Sequence, residues 1–524
     1  MTLALAAAER NIKNVAELSC ELRSLFFVVL RILMKQLKFL FLSIVSGILL
    51  ALSFPNFDFF YLAFFSFIPV IYVALSNDLK KSLFYGFLFG LSFWSVSLYW
   101  MFPFIKFNTG SVQAAITAGL LWCYLAIYFS VWTGIVSFLR KKSKPLIISF
   151  FAAFLWVVSE YVRTYFSAGF AWNFVGYGQA QFTNFIQISD ILGVSGISFL
   201  IVFINMLLFH WIRKPKDVKY LFIAIAVFSA VYLYGYTKIR EYPADYGNEL
   251  SVGVVQPDID QYKKWDPSYG KQFLSSVNND LKFFKGKKLS LIVYPETFLT
   301  EYFNDDKKYK NFIKQCTSLA QINLIGSVYY YNNLVYNSVF AFDNNARILG
   351  RHDKSHLVIF GEYIPFREIL AKYFDIFNNM GDFSKGIEMD VFYSDNISVG
   401  STICSENFFP ERSRELVWKG AKILTNHTND GWFLDTAAPY QHFVMNIFRA
   451  IENRKNVIVC ANSGISAVIN CRGDVIRQTK LNKRIFFVSY VYQNDIITFY
   501  DRLGYLFPYF SIFMTLFLLL LVLI

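Results

Sequence analysis

Charge is scarce in this 524-residue chain: Asp, Glu, Lys and Arg make up 17% of it, where an ordinary soluble domain carries about 25%. Acidic residues are the scarcer half, 37 against 50 basic, which leaves a formal charge of +13. The chain has no internal repeat, no low-complexity tract and no glycine-rich phosphate loop. Histidine is limited to 5 residues, and His352, His356, His427 and His442 lack metal-ligand spacing, so neither a metal nor an organic cofactor is expected. What is abundant is apolar. Hydrophobic residues reach 55%, with 59 Phe, 33 Tyr and 10 Trp, and the mean hydropathy is +0.39. Such content excludes a disordered or collagen-like chain and argues against one water-soluble globule.

The positive charge is unevenly spread. Residues 1–238 hold 19 Lys and Arg against 8 Asp and Glu, and the remainder holds 31 against 29. Basic residues flanking apolar runs set membrane orientation, which turns the surplus away from nucleic acid. A transmembrane helix needs about 20 mostly apolar residues. Seven stretches qualify before residue 240: Phe39–Phe54, Phe59–Ser76, Ser82–Phe102, Val112–Leu139, Leu146–Phe166, Ile191–Ile212 and Val218–Tyr236, the first two being short. An eighth, Tyr505–Ile524, closes the chain. Lys and Arg cluster before the first span and in alternate loops, at Lys80 and Lys81, at Arg140 to Lys144, and at Arg213 to Lys219. The loops between hold Lys106 alone and nothing basic from Ser167 to Asp190. By the positive-inside rule both termini are cytoplasmic and the segment from Ile239 to Gly504 lies outside. The expected organisation is a cytoplasmic extension at 1–38, a seven-helix region at 39–238, an external domain at 239–504 and a last span at 505–524. The extension reads as an interfacial helix or an upstream start choice ahead of Met34; no small-residue cleavage site follows an apolar run of signal-peptide length.

Past residue 240 short apolar strands alternate with amphipathic helices, which argues α/β. Strands are expected at Leu250–Val255, Leu289–Tyr294, Leu324–Tyr329, Ser338–Phe342, Ile397–Ile403, Ala421–Thr425, Val457–Ala461 and Ser466–Ile469. Helices are expected at Lys307–Leu319, Glu411–Trp418 and Ala438–Asn453. In an open α/β sheet reactive groups gather just past the carboxyl ends of strands. Glu296, Cys404 and Asn426 occupy such positions, and Lys354 sits in the stretch leading to Phe360-Gly361-Glu362-Tyr363. A cysteine nucleophile needs a thiolate, so a cation or a base must help its proton away. Lys354 is the candidate cation and oxyanion partner, and Glu296 the candidate base. Spacing alone does not bring the three together. Each has a blander reading: Cys404 as a small buried residue, or paired in a disulfide with Cys316, Cys460 or Cys471; Pro295-Glu296 as a turn; Lys354 as a solvated charge.

Order and wording shift that balance. YPET, KSHLVIFGEYIP, CSE and NDGWF resemble the carbon–nitrogen hydrolase (nitrilase) superfamily, whose Glu-Lys-Cys triad occurs in that order on an αββα sandwich. Eight spans around such a domain, with TNHTNDGWF followed by APYQH and RAIENR, resemble its membrane-embedded branch, the apolipoprotein N-acyltransferases. The resemblance implies Glu296 as general base, Lys354 as transition-state stabiliser and Cys404 as nucleophile, with Glu362 and Glu406 in support. It implies Trp265, Trp432, Tyr363 and Asn426 as substrate-contacting residues. It further implies a bacterial inner-membrane enzyme, its catalytic domain periplasmic. A membrane phospholipid would be the acyl donor and the diacylglyceryl cysteine of an apolipoprotein the acceptor, with a Cys404 thioester between them. A monomer is the expected unit. Two places depart from the family pattern: Ser405 follows the nucleophile where an aromatic is usual, and Tyr294 precedes Pro-Glu where a Trp is usual. The alternatives are a membrane-tethered amidase using the same triad and a transporter with an external binding domain. Against transport, the spans carry few ionisable groups besides Glu160 and Arg163, whose i,i+3 spacing suggests a pair.

Overall fold

The computed structural model describes residues 2–109, 114–140, 144–166, 169–261, 263–299, 307–370, 372, 381–387 and 390–523. The first part is helical: α1 Thr2–Ala51, α2 Leu79–Ser97, α3 Met101–Thr109, α4 Ala114–Leu139, α5 Pro145–Tyr165, α6 Ser189–Arg213 and α7 Lys219–Glu241. Local chemistry sets several boundaries. Asp78 caps α2 by accepting from the Lys81 N–H at 3.0 Å, and Pro145 opens α5 where its missing N–H costs nothing. Among the described residues five helices are long and apolar enough to cross a membrane: α4, α5, α6, α7 and Leu506–Leu523. Leu79–Ser97 and Met101–Phe107, bent by 55°, make a sixth when taken together. The eight expected spans are therefore not all single apolar helices. Phe60–Ser76 is a succession of short helical pieces, and the first expected span is the end of a 50-residue helix whose earlier turns carry Arg10, Lys13, Arg23, Arg31, Lys35 and Lys38.

The part after α7 holds twelve strands among the described residues: β1 Asn248–Gln256, β2 Leu289–Val293, β3 Ala320–Tyr331, β4 Leu334–Asp343, β5 Ile348–Asp353, β6 Val391–Ser394, β7 Ile397–Ile403, β8 Ile423–Thr428, β9 Asn456–Ala461, β10 Ala467–Ile469, β11 Val475–Gln478 and β12 Ile485–Gln493. They form two six-stranded sheets, ordered β12-β1-β2-β3-β4-β5 and β11-β10-β9-β8-β7-β6. The β1-β2-β3 and β7-β8-β9 trios are parallel, so the ends of β2 and β7 are places where chemistry gathers. Side chains alternate across each strand: Leu291 and Val293 enter the core between the sheets with Val399, Ile403 and Ile458, while Ile292 turns outward. That outward face is covered by α8 Pro267–Leu281 and α9 Lys307–Thr317 through Val277, Leu281, Phe312 and Ile313. The second sheet is covered by α10 Pro410–Trp418 and α11 Ala438–Asn453. The result is the expected αββα sandwich. All eight expected strands are present; β5, β6, β11 and β12 are additional, and β11 is exposed at every residue.

Helix α11 is also where sandwich and membrane helices meet. Its apolar residues Phe443, Val444, Ile447 and Phe448 share one hydrophobic cluster with Phe93, Trp94, Phe174, Tyr177 and Val194. Polar contacts bind the same seam. Gln441 uses all four of its side-chain valences: Oε1 accepts from Trp100 Nε1 at 3.1 Å and Trp172 Nε1 at 2.8 Å, and Nε2 donates to Pro55 O at 3.1 Å and Ser97 O at 3.0 Å. Arg454 pairs with Asp190 at 2.6 Å, and Glu452 accepts from the Val194 N–H at 2.9 Å. Rather than closing an ion pair with one another, Glu160 accepts from Trp156 Nε1 and Val175 N–H while Arg163 donates to Trp172 O. Both thereby shape the segment carrying Trp172 toward Gln441. From that seam the last helix, α12 Leu506–Leu523, runs back along α5.

Candidate active site

Glu296 follows β2 by three residues, and its chain turns there at once: Thr297 has φ +44°. Room for the turn comes from β3, where Gly326 lies so close that a Cβ would stand 2.2 Å from Pro295 O and 2.9 Å from Glu296 Cα. A side chain at 326 would push the Glu296 segment out of place. The Glu296 carboxylate is buried and accepts from Asn337 Nδ2 at 2.7 Å, while Lys354 Nζ stands 3.5 Å from the same oxygen.

Lys354 follows the last residue of β5 and is 1% exposed, which discards the solvated-charge reading. Its N–H donates to Asn337 O at 2.8 Å, and its ammonium pairs with Glu362 Oε1 at 2.9 Å. Burial opposes the charge, but Glu362, Cys404 and Glu296 outweigh it and hold the ammonium above its ordinary range. Glu362 is fixed in turn by Asn337 Nδ2 at 3.1 Å and the Val358 N–H at 2.8 Å. Asn337 thus bridges two carboxylates from strand β4.

Cys404 begins a turn directly after β7, with φ +49°, a conformation uncommon for any residue but glycine. The strand end thus presents the residue on a sharp elbow, as observed strain at a reacting group often does. Its thiol is pushed up by burial and by the charge of Glu296, partly offset by Lys354, so at rest it holds its proton. Asn426 Nδ2 donates to Cys404 O at 3.2 Å and to Thr402 Oγ1 at 3.1 Å. That side chain lies within β8, not after it as expected, and is occupied in bracing the elbow. Cys316, Cys404, Cys460 and Cys471 are free thiols, which removes the disulfide alternative.

Glu406 ties the elbow to the Lys354 segment. Its Oε1 accepts from Ser355 N and Oγ, both at 2.7 Å, and its Oε2 accepts from the Ile403 N–H and pairs with His352 Nε2, both at 2.8 Å. Burial would raise its pKa, but the His352 charge and these hydrogen bonds bring it down to about 2. The same pairing raises His352 against the effect of its own burial. His427 instead bonds Tyr294 O and is lowered to about 4 by burial.

Trp265 and Trp432 lie on turns and are 44% and 39% exposed, while Tyr363 is half-buried beside Glu362. Of the two departures, Tyr294 is buried against Phe298 with its hydroxyl donating to Cys316 O at 3.3 Å, and Ser405 is buried with Oγ donating to His356 O at 3.4 Å. Sequence reasoning passed over Asn337 and Lys264. Asn337 is one polar residue in an apolar strand and Lys264 one of two adjacent lysines in a polar loop, and only the fold shows where each points. Among the described residues no group of three His, Cys, Asp or Glu is placed to hold a metal ion.

Comparison with known proteins follows the same division of the chain. Residues 46–207 match the apolipoprotein N-acyltransferase N-terminal domain, and residues 251–490 match the carbon-nitrogen hydrolase family. The apolipoprotein N-acyltransferase of Geobacter metallireducens is 33% identical over 483 residues, covering 89% of this chain and 92% of that protein. That of Thermotoga maritima is 28% identical, covering 90% and 92%, and that of Pasteurella multocida 27%, covering 85% and 88%. Among solved structures Saccharomyces cerevisiae Nit3, a member of branch 10 of the nitrilase superfamily, aligns at a TM-score of 0.36 and 16% identity, covering 47% of this chain and 90% of its own.

Proposed function

We propose a reaction from one premise: the chain belongs to the apolipoprotein N-acyltransferase family, and is an N-acyltransferase. The reaction is a two-step transfer of a fatty acyl group from a membrane phospholipid, through a thioester on Cys404, to the amine of an S-diacylglyceryl cysteine at the N-terminus of a lipoprotein. The observation that carries it is the buried cluster of Glu296, Lys354 and Glu362, whose charges act on the Cys404 thiol at the strained end of β7.

In the first step Glu296 takes the Cys404 proton as sulfur attacks the carbonyl of the sn-1 ester. The oxyanion forms beside the Lys354 ammonium, whose charge is secured by Glu362. Collapse breaks the bond to the glycerol oxygen, Glu296 returns the proton there, and a lysophospholipid leaves. In the second step the amine attacks the thioester carbon and gives a proton to Glu296. The carbon–sulfur bond breaks, the thiol is restored from Glu296, and an amide results. A resting thiol that keeps its proton makes the base indispensable, which supports this role for Glu296 over a preformed thiolate.

Both substrates reside in the bilayer. The seam at Gln441 holds the sandwich against the membrane helices and so converts a search in volume to one in a plane. The loop charges support cytoplasmic termini and a periplasmic sandwich. Exposed Trp265 and Trp432 suit contact with lipid.

Intact-mass spectrometry of the full chain incubated with phospholipid tests the reading. One fatty-acyl adduct is expected, absent in Cys404→Ala and discharged by a diacylglyceryl-cysteine peptide with formation of its amide. N-acylation that survives in Cys404→Ala, or an adduct that discharges to water alone, overturns it.

A further inference from the structure

We infer that Lys264 is a positioning residue for this transfer, its buried ammonium holding the main chain of the base and supplying the second cation that two neighbouring carboxylates require. The inference rests on the reaction proposed above. Lys264 is 5% exposed, yet among the described residues it forms no ion pair with a carboxylate. Its Nζ donates instead to Glu296 O at 3.2 Å and to Thr297 Oγ1 at 2.7 Å. One is the carbonyl of the peptide entering the left-handed Thr297 and the other is the hydroxyl of Thr297 itself, at the point where the chain turns Glu296 into the pocket. One ammonium therefore clamps both sides of the bend, in a conformation that a β-branched residue rarely adopts.

Charge tells the same story. Among the described residues Glu296 and Glu362 share one direct counter-ion, Lys354, so with both carboxylates ionised the cluster without Lys264 would carry one uncompensated negative charge in a buried place. Burying an unmatched charge is strongly unfavourable, and a second ammonium removes the imbalance. As Cys404 passes its proton to Glu296, the negative charge moves to sulfur and the cluster stays neutral overall. Among the described residues the titratable groups facing Glu296 are Lys354 from the end of β5, Glu362 from the following turn, Cys404 from the elbow and Lys264 from the loop after β1. Glu296 is the charged group acting on the Lys264 ammonium, and the carbonyl of Asp260 accepts from the Lys264 N–H at 2.9 Å. Burial brings the ammonium down to about 7, with Glu296 pulling the other way, so the clamp weakens as pH rises past neutrality.

The test compares acyl-enzyme formation from phospholipid, followed by intact mass against pH, in the parent, Lys264→Gln, Lys264→Arg and Thr297→Val. A parent that forms no adduct overturns the reaction itself and this inference with it. Given a parent adduct, Lys264→Gln should lower kcat by about 10-fold or more with KM for phospholipid little changed, as loss of general-base alignment does. With one cation fewer in the cluster, the acidic limb should move to higher pH in Lys264→Gln and stay in place in Lys264→Arg. Thr297→Val keeps the charge and loosens the clamp; it should lower kcat with the limb unmoved, and it decides the matter if Lys264→Gln does not fold. Identical acidic limbs in parent, Lys264→Gln and Lys264→Arg, or full kcat in Thr297→Val, would overturn the role of Lys264 while leaving the thioester chemistry intact.

Discussion

Replacing Glu406 by Gln should unfasten the Cys404 elbow from the segment that carries Lys354. The carboxylate is wholly buried and accepts four contacts, two from Ser355, one from the Ile403 N–H and one from His352. An amide keeps the shape but turns an NH2 toward two of those donors. A carboxyl that falls from 4.5 to about 2 on folding stabilises the folded state by about 3 kcal/mol at neutral pH. Loss of that term should lower Tm by roughly 6–12 °C, at about 2–4 °C per kcal/mol for a domain of this size. Acid supplies the control. Because the folded pKa is the lower one, the stabilisation is complete above about 4.5 and lost as pH falls toward about 2, whereas Gln does not titrate. The gap in Tm between parent and Glu406→Gln, followed by tryptophan fluorescence in detergent, should narrow across that window. A gap that is absent at neutral pH, or constant down to pH near 2, would refute the reasoning.

Other perturbations separate chemistry from support. Lys354→Met should slow single-turnover thioester formation by about 10²–10³, since the oxyanion loses its cation and Glu362 loses its partner; a near-normal rate would refute that role. Glu362→Gln should weaken the same step less, because Lys354 keeps Glu296 as a neighbour at 3.5 Å; rates from rapid-quench mass spectrometry that fall as far as those of Lys354→Met would contradict the ordering. Gln441→Leu leaves two indole N–H groups and two carbonyls unpaired in a buried seam, which should cost about 2–4 kcal/mol and lower Tm without moving any pH limb; unchanged melting would show the seam to be held by apolar packing alone.

Much of this arrangement was legible in the residues, for reasons that can be named. Helix α11 has the bounds its pattern implies, because Pro439 suits a first turn and the apolar spacing persists to Asn453. Strand β7 likewise runs from Ile397 to Ile403 as expected, a short apolar run ending just before Cys404. The membrane region was harder. Composition counts apolar residues but does not see where a helix breaks, so Phe60–Ser76 read as one span and is several short pieces. Asn426 read as a group beyond a strand end because β8 continues three residues past Thr425. Asn337 and Lys264 gave no local signal at all: what they do depends on β4 and the loop after β1 lying beside Glu296, a matter of tertiary approach. Glu160 and Arg163, three apart on one helix, suggested mutual pairing, yet the fold offers each a main-chain partner instead.

The hydrophobic cluster that runs without interruption from Phe93 and Tyr177 into Phe448 and Ile451 also bears on how this enzyme can be handled. A sandwich excised at its linkers would carry a greasy flank once sheltered by helices, and would seek out other copies of itself. The catalytic half is thus solvated on one side by water and on the other by its own anchor, so purification has to keep both together.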